Sequence, residues 1–299
     1  MLGTSEGLDA LLERRPPSKL QQFVKEPCVF LASQLYRSRR VVCFEPIKPI
    51  AVVCLSDTHN SQSYIPAGEI LIHAGDITQA GTLKEIQTSL DWLNSLPHSN
   101  KIIIAGNHDI LLDPNQLHSG PAACASSINW GNIIYLNSNS TTVTCENGRQ
   151  LKIYGSPLTP RHGNWAFQYP RDQDVWRSEI PADTDILITH GPPKGHLDAG
   201  HLGCKYLLDE IWRKKPRLHV FGHVHDGYGI EWVQFDKLQR AYENIIDAGG
   251  GLWGLAGVLF EFLAAYLSTA KESRALMVNP AIVGGLRDEQ RRRPIVVHV

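Results

Sequence analysis

The stretch Ile50 to Asn60, IAVVCLSDTHN, constrains this chain more than any other. An apolar run rich in β-branched residues stops at Ser56, and Asp57 and His59 follow with one residue between them. Such a run reads as a strand buried on both faces. In extended backbone, residues two apart point the same way, so a carboxylate and an imidazole arrive together at the strand's carboxyl end.

The pattern recurs along the chain. Ile70 to Ala74 leads into Gly75-Asp76, and Lys101 to Ala105 into Gly106-Asn107-His108-Asp109. Ile186 to Thr189 leads into His190-Gly191, and Leu218 to Phe221 into Gly222-His223-Val224-His225. Five apolar strands therefore each end in a residue able to hold a metal. Open α/β sheets bind ligands outside the carboxyl ends of their strands, so one site can collect all five contributions.

These residues span Asp57 to His225, which predicts one large α/β domain rather than two small ones. A formal net charge of −1 gives no electrostatic footprint for nucleic acid. The basic run Arg291 to Arg293 reads as a solvated loop. Six cysteines are scattered without a C-x-x-C pair, and the first residues lack a long apolar run. Both features predict reduced thiols, no secretory leader and a cytoplasmic location.

Residues 1 to 48 read as a lead-in packed outside the core, with a short helix over Leu8 to Leu12 ended by Pro16-Pro17. Thr82 to Leu96 is the clearest helix, with Leu83, Ile86, Leu90 and Leu93 on one face and Pro97 closing it. Asp113 to Ser127 has the composition of a surface connection. Ile133 to Leu136, Thr141 to Cys145 and Leu151 to Tyr154 read as strands, the last two joined by an Asn147-Gly148 turn. They begin a second sheet facing the first. Gly155 to Asp174 reads as a long functional loop, and Leu276 to Val278 and Ile295 to Val297 as strands returning to the sheets.

Leu252 to Ala270 is apolar almost throughout and approaches the roughly 20 residues needed to span a bilayer. Glu261 near its middle, with several glycines and alanines suited to close packing, favours a buried or interface helix over a membrane-surface helix or a span.

The candidate ligands Asp57, His59, Asp76, Asn107, His190, His223 and His225 supply carboxylate, imidazole and amide groups and no thiolate. That donor set suits hard or borderline divalent ions. Manganese or an iron and manganese pair leads, with zinc and magnesium also compatible.

The blocks D-x-H, G-D, G-N-H-D, H and G-H-x-H occur here in order, as Asp57-Thr58-His59, Gly75-Asp76, Gly106-Asn107-His108-Asp109, His190 and Gly222-His223-Val224-His225. In these, and in Thr189 to Pro193 and His201 to Cys204, the chain resembles the calcineurin-like metallophosphoesterase superfamily, within it the metallophosphoesterase-domain-containing group related to class III phosphodiesterases. The resemblance implies two facing mixed β-sheets flanked by helices, over residues 49–299, with 236–274 a helical insertion. It also implies two ions, one held by Asp57, His59, Asp76 and His225 and the other by Asp76, Asn107, His190 and His223, with Asp76 bridging. Ions about 3.5 to 4 Å apart lower the pKa of a shared water and clamp the attacking and leaving oxygens of an in-line displacement. His108 is expected to meet the leaving oxygen, with Asp109 fixing its ring.

Substrate contacts are expected from Arg161 and His162 on a phosphate, from Trp165 or Phe167 over a base or apolar group, and from His196 and His201 at the rim. The expected activity is metal-dependent phosphoester hydrolysis, with diesters favoured over monoesters. The expected substrate is small and phosphorylated, either nucleotide-like or with an apolar leaving group; no nucleic acid partner is expected. The alternative is a catalytically weak scaffold that recruits a partner or membrane through the apolar insertion. That insertion is expected to form a helical lid, a homodimer contact or a peripheral membrane contact.

Overall fold

The structure, a computed structural model, describes residues 18–39, 41, 48–115, 127–199, 202–267, 273–285 and 289–299. The helix expected over Leu8 to Leu12, Pro16-Pro17, His201 and most of the connection after Asn115 lie outside the described residues, as do positions 268–270.

Among the described residues two helices come first, α1 (Lys19–Lys25) and α2 (Pro27–Ser38). Ser18 and Gln21 form a reciprocal capping box at α1, and Pro27 opens α2, where its missing N–H costs nothing. These short elements carry weak periodicity, and the sequence showed no helix here. The chain continues through β1 (Ala51–Leu55), β2 (Ile70–Ala74), α3 (Leu83–Ser95), β3 (Asn100–Ile104), β4 (Ile133–Leu136), β5 (Asn139–Thr144) and β6 (Gln150–Ser156). The short pair β7 (Thr159–Pro160) and β8 (Gln168–Tyr169) follows, inside what the sequence read as one long loop. Then come β9 (Ile186–Thr189), α4 (Lys205–Lys214), β10 (Leu218–Val220), β11 (Gly229–Gln234), α5 (Lys237–Asp247) and α6 (Leu252–Leu267). The chain ends with β12 (Arg274–Asn279), the short β13 (Val283–Gly284) and β14 (Gln290–Arg291), and β15 (Ile295–His298).

The described residues divide into two compact units, one from 1–42, 234–273 and 284–290, the other from 43–233, 274–283 and 291–299. The larger unit holds two sheets, ordered β15-β1-β2-β3-β4 and β11-β12-β10-β9-β6-β5. Strands β1 to β4 run parallel, as do β6, β9, β10 and β12, while β15 and β5 are antiparallel additions. The fold is thus α/β with two mixed sheets, as the sequence implied. Strand β4 closes the first sheet, however, and the second begins at β5, because the turn at Asn137 and Ser138 carries the chain from one sheet to the other.

Period-two alternation explains how the sheets pack. Val52, Cys54, Ile70, Ile72, Ile102 and Ile104 point inward and meet Ile153, Ile186, Ile188, Leu218, Val220 and Val278 of the other sheet. Val53, Leu55, Leu71 and Ile103 point outward onto Ile86, Leu90 and Leu93 of α3. Thr82 caps α3 with Glu85 in a capping box, so the helix starts where the sequence placed it. Both faces of the first sheet are covered, which is why its strands read as unbroken apolar runs.

In the smaller unit α2, α5 and α6 share a core. Ala32, Leu238, Ile245 and Val258 pack together, and Tyr36 stacks on Tyr242 at 3.9 Å and donates to Gln239 at 2.7 Å. Asp236 caps α5, and both of its oxygens accept from Arg39 Nη1. Of α6 only Val258 is buried, so of the expected buried or interface helix the fully buried form does not hold. No helix of the described residues is long and apolar enough to cross a membrane.

Candidate metal centre

Five parallel strands deliver the site residues from their carboxyl ends. Strands β1, β2 and β3 supply Asp57 and His59, Asp76, and Asn107; β9 and β10 supply His190, and His223 and His225. Asp57, His59, Asp76 and His223 all sit in left-handed backbone, with φ of 50, 44, 53 and 65°. Residues other than glycine hold that conformation at a cost of about 1–3 kcal/mol each, so their surroundings must enforce it. The enforcing bonds are on the main chain: Asp57 N donates to Gly75 O at 2.9 Å, His59 N to Asp76 O at 3.1 Å, and Gly222 N to His190 O at 2.9 Å.

Two glycines are required by this closeness. A Cβ on Gly222 would lie 1.9 Å from Ser56 Oγ and 2.1 Å from Asp57 Oδ2. At Gly75, where φ is +98°, it would lie 2.5 Å from His190 Nδ1.

Hydrogen bonds then tie the two sheets together at the site. His223 N donates to both Asp57 oxygens at 3.1 Å, and His190 Nδ1 sits 2.8 Å from Ala74 O. That contact leaves His190 Nε2 facing Asn107 Oδ1 at 3.1 Å and Asp76 Oδ2 at 3.2 Å. His225 Nε2 lies 3.3 Å from Asp57 Oδ1, and His59 Nε2 lies 3.9 Å from Asp76 Oδ2.

The electrostatics follow from burying like and unlike charges together. Burial alone would raise the Asp57 carboxyl, but the hydrogen bond and charge of His225 outweigh it and hold it well below the usual carboxylate range. Asp76 is held down in the same way, against its burial, chiefly by His190. Burial pushes His190 down, yet Asp76 outweighs it and raises the imidazole to about 9. His223 is lowered to about 4 by burial and by His190, and His59 is also lowered, mainly by burial.

The donor atoms fit a divalent ion. Those of Asp57, His59 and His225 lie within 4.8 Å of one another, as do those of Asp76, His190 and His223, and of His59, Asp76 and His108. Neither ring nitrogen of His59 has a hydrogen-bond partner, although both are buried. A ligand that accepts no proton from an imidazole but takes its lone pair removes that cost, which is what a cation does.

A family model described as calcineurin-like phosphoesterase matches residues 50–227. The chain belongs to that family. Two metallophosphoesterase domain-containing 1 proteins, from Homo sapiens and Mus musculus, are each 40% identical over 205 residues, covering 60% of this chain and 61% of theirs. A UPF0046 protein of Caenorhabditis elegans is 36% identical over 69% of this chain and 86% of its own length. A probable rhamnogalacturonate lyase C of Emericella nidulans is 45% identical over 98% of this chain. The chain spans only 29% of that protein's length. The family match and the Asp/His clusters point the same way, since those clusters bring together carboxylate and imidazole donors that could hold divalent metal.

Beside the clusters, His108 is half-exposed, with its ring edge-on to His59 at 4.7 Å and stacked on Trp165 at 4.4 Å. Its Nδ1 sits 2.7 Å from the carbonyl of Gln79. This corrects the role expected of Asp109, whose carboxylate accepts from Gly106 N, Ile77 N, Thr78 N and Thr78 Oγ1. Asp109 therefore holds the loops after β2 and β3, and a main-chain carbonyl orients His108. Burial and the charge of Asp76 raise the Asp109 carboxyl to about 6 despite those bonds.

Other expected contacts divide by burial. Trp165 is 40% exposed and reaches the site through His108. Arg161 and His162 are exposed. His196 is fully buried with Nδ1 3.0 Å from Glu231 Oε1, so it does not line a rim. Phe167 is buried in the core beneath α3 and cannot cover a base.

In the basic run near the carboxyl end Arg291 and Arg293 are exposed, as a solvated stretch would have them, and Arg292 alone departs from that reading. Arg292 donates to the His225 carbonyl and lies over the Tyr228 ring at 5.2 Å. Nothing in its local sequence marks these contacts, since His225 and Tyr228 lie over sixty residues away.

Proposed function

We propose that this metallophosphoesterase hydrolyses phosphodiesters of small, nucleotide-like molecules or molecules with an apolar leaving group, using two metal ions. Asp57, His59, Asp76 and His225 hold one ion, and Asp76, Asn107, His190 and His223 the other. The observation that carries this reading is the placement of Asp76 Oδ2 between His59 Nε2 and His190 Nε2, at 3.9 and 3.2 Å, so that one carboxylate faces both clusters. When bound, paired divalent ions of the manganese or iron class supply Lewis-acid charge and a water of lowered pKa.

The chain's own residues set the rest. Asp76 Oδ1 accepts from His108 N at 2.7 Å, which fixes the His108 backbone relative to the ligand set. With Nδ1 donating to the Gln79 carbonyl, an N–H at Nε2 is the other donor that the ring can offer. As the ester P–O bond breaks and water's oxygen bonds to phosphorus, that N–H gives its proton to the leaving oxygen. Trp165 covers one face of the imidazole and offers its exposed edge to an apolar or aromatic leaving group. The half-exposed lip formed by His108 and Trp165 supports a substrate with two ester arms.

A lyase reading drawn from the Emericella nidulans relative rests on a protein of which this chain spans 29%. The scaffold reading would leave the full donor set without a use. The test is metal content together with hydrolysis of bis-p-nitrophenyl phosphate and p-nitrophenyl phosphate, with and without manganese. Two ions per chain and faster diester turnover are expected; monoester turnover alone overturns the diester assignment, and no metal with no turnover overturns the enzyme.

A further inference from the structure

Among the described residues, helix α6 presents an exposed apolar face. Leu252, Ala256, Leu259, Leu263 and Tyr266, spaced alternately four and three residues apart, are all exposed. That spacing is the seam of a helix made to pair with another helix. The stripe beside it, Leu255, Val258, Phe262 and Ala265, packs into the smaller unit's own core. The seam lies next to that packed stripe and stays exposed.

Its area is large for one helix. Trp253, Phe260 and Tyr266 are 92%, 68% and 86% exposed. At 150–250 Å² for each full aromatic side chain they present roughly 400–600 Å². The exposed leucines of the same helix bring the patch to the order of the ~800 Å² that each partner contributes to a stable interface. A monomer's largest apolar patch is usually only about 300–600 Å².

Charge decides which partner fits. The helix LWGLAGVLFEFLAAYL contains no lysine or arginine, whereas helices that lie on anionic membranes carry a basic polar face. Its single charge, Glu261, is half-buried and stands two residues from both Leu259 and Leu263, off the seam. An uncharged, self-complementary seam is what a two-fold contact between identical chains requires.

We infer that α6 pairs with α6 of a second copy of this chain, forming a homodimer through the Leu252 to Tyr266 seam. Light scattering on the full chain at about 10 μM should give twice the 33.3 kDa chain mass. Leu263→Glu should return it to the monomer mass while far-ultraviolet circular dichroism stays unchanged. If that variant fails to fold, Leu259→Cys decides: oxidation should produce a cross-linked dimer that the parent chain does not form. A parent chain that is monomeric at this concentration overturns the inference, and so does absence of the Leu259→Cys cross-link. Co-sedimentation of a monomer with phosphatidylcholine and phosphatidylserine vesicles also overturns it, in favour of a lipid surface. Metal content and turnover are read separately in each sample, so failure of the dimer is distinguishable from failure of the enzyme.

Discussion

The imidazole of His108 stacks on the indole of Trp165, with ring centroids 4.4 Å apart and planes inclined by 27°. The two residues are far apart in sequence, and the contact places the half-exposed imidazole beside His59. An aromatic pair of this kind contributes about 0.5–1.5 kcal/mol. Trp165→Ala should therefore slow diester turnover by roughly 2- to 10-fold. His108→Ala should spare metal content yet slow substrates with poor leaving groups by roughly 100-fold or more, and good ones far less. Steady-state kinetics on a leaving-group series checks both; equal losses across the series would count against His108 as the proton donor.

Asp76→Asn should remove more than one ion's worth of affinity, because the carboxylate faces both clusters. Changing a partner outside the ligand set typically costs about 10–100-fold in affinity or activity, and this change should exceed that. Metal analysis after dialysis, with turnover on the same sample, checks it. Near-normal turnover would refute the shared role.

Gly222→Ala should disable the site without touching a donor atom. The new methyl has Ser56 Oγ and Asp57 Oδ2 within about van der Waals overlap, at 1.9 and 2.1 Å, and both belong to a rigid strand end. Overpacking of this kind costs about 1–3 kcal/mol. Urea denaturation should show that loss, and metal stoichiometry should fall as Asp57 is pushed aside.

Metal uptake should release a proton and strengthen with pH. In the metal-free protein His190 is raised to about 9, whereas His223 is lowered to about 4 and His59 is lowered too. Of these three imidazoles His190 is the one that must lose a proton before binding near neutral pH, so apparent affinity should rise with pH, by up to about tenfold per pH unit below roughly 9. The same pair affects the metal-free fold with the opposite sign. A folded pKa above the ordinary 6.5 gives stability that is full below pH 6.5 and is lost as pH rises towards 9. Titration calorimetry in buffers of different ionisation enthalpy measures the released proton; none released at pH 7 would contradict the assignment.

Asp109→Asn should act on stability more than on chemistry. The carboxylate accepts four hydrogen bonds from Gly106, Ile77 and Thr78, and an amide has one oxygen with which to accept them. Leaving buried donors unmatched costs about 1–3 kcal/mol, visible as a lower melting temperature. The ratio of rates on good and poor leaving groups should stay the same, whereas a change in that ratio would restore the role in orienting His108.

The positions of the candidate metal ligands were legible because they depend on local pattern. An apolar run stops, and the polar residue after it falls at the mouth of a parallel sheet wherever the strand pairs. The Thr82 to Leu96 helix was equally local, since its cap and its apolar face lie within its own residues. Partner choice is not local. Asp109 binds the loop after β2, His196 meets Glu231 thirty-five residues on, and Arg292 reaches back to His225. Each of these is a polar group whose nearest partner is set by how distant segments pack, which hydrophobic periodicity does not encode. The same limit explains α6: its composition fixes that it is helical and apolar, and only the tertiary packing shows that Val258 alone is buried and the seam from Leu252 to Tyr266 faces outward.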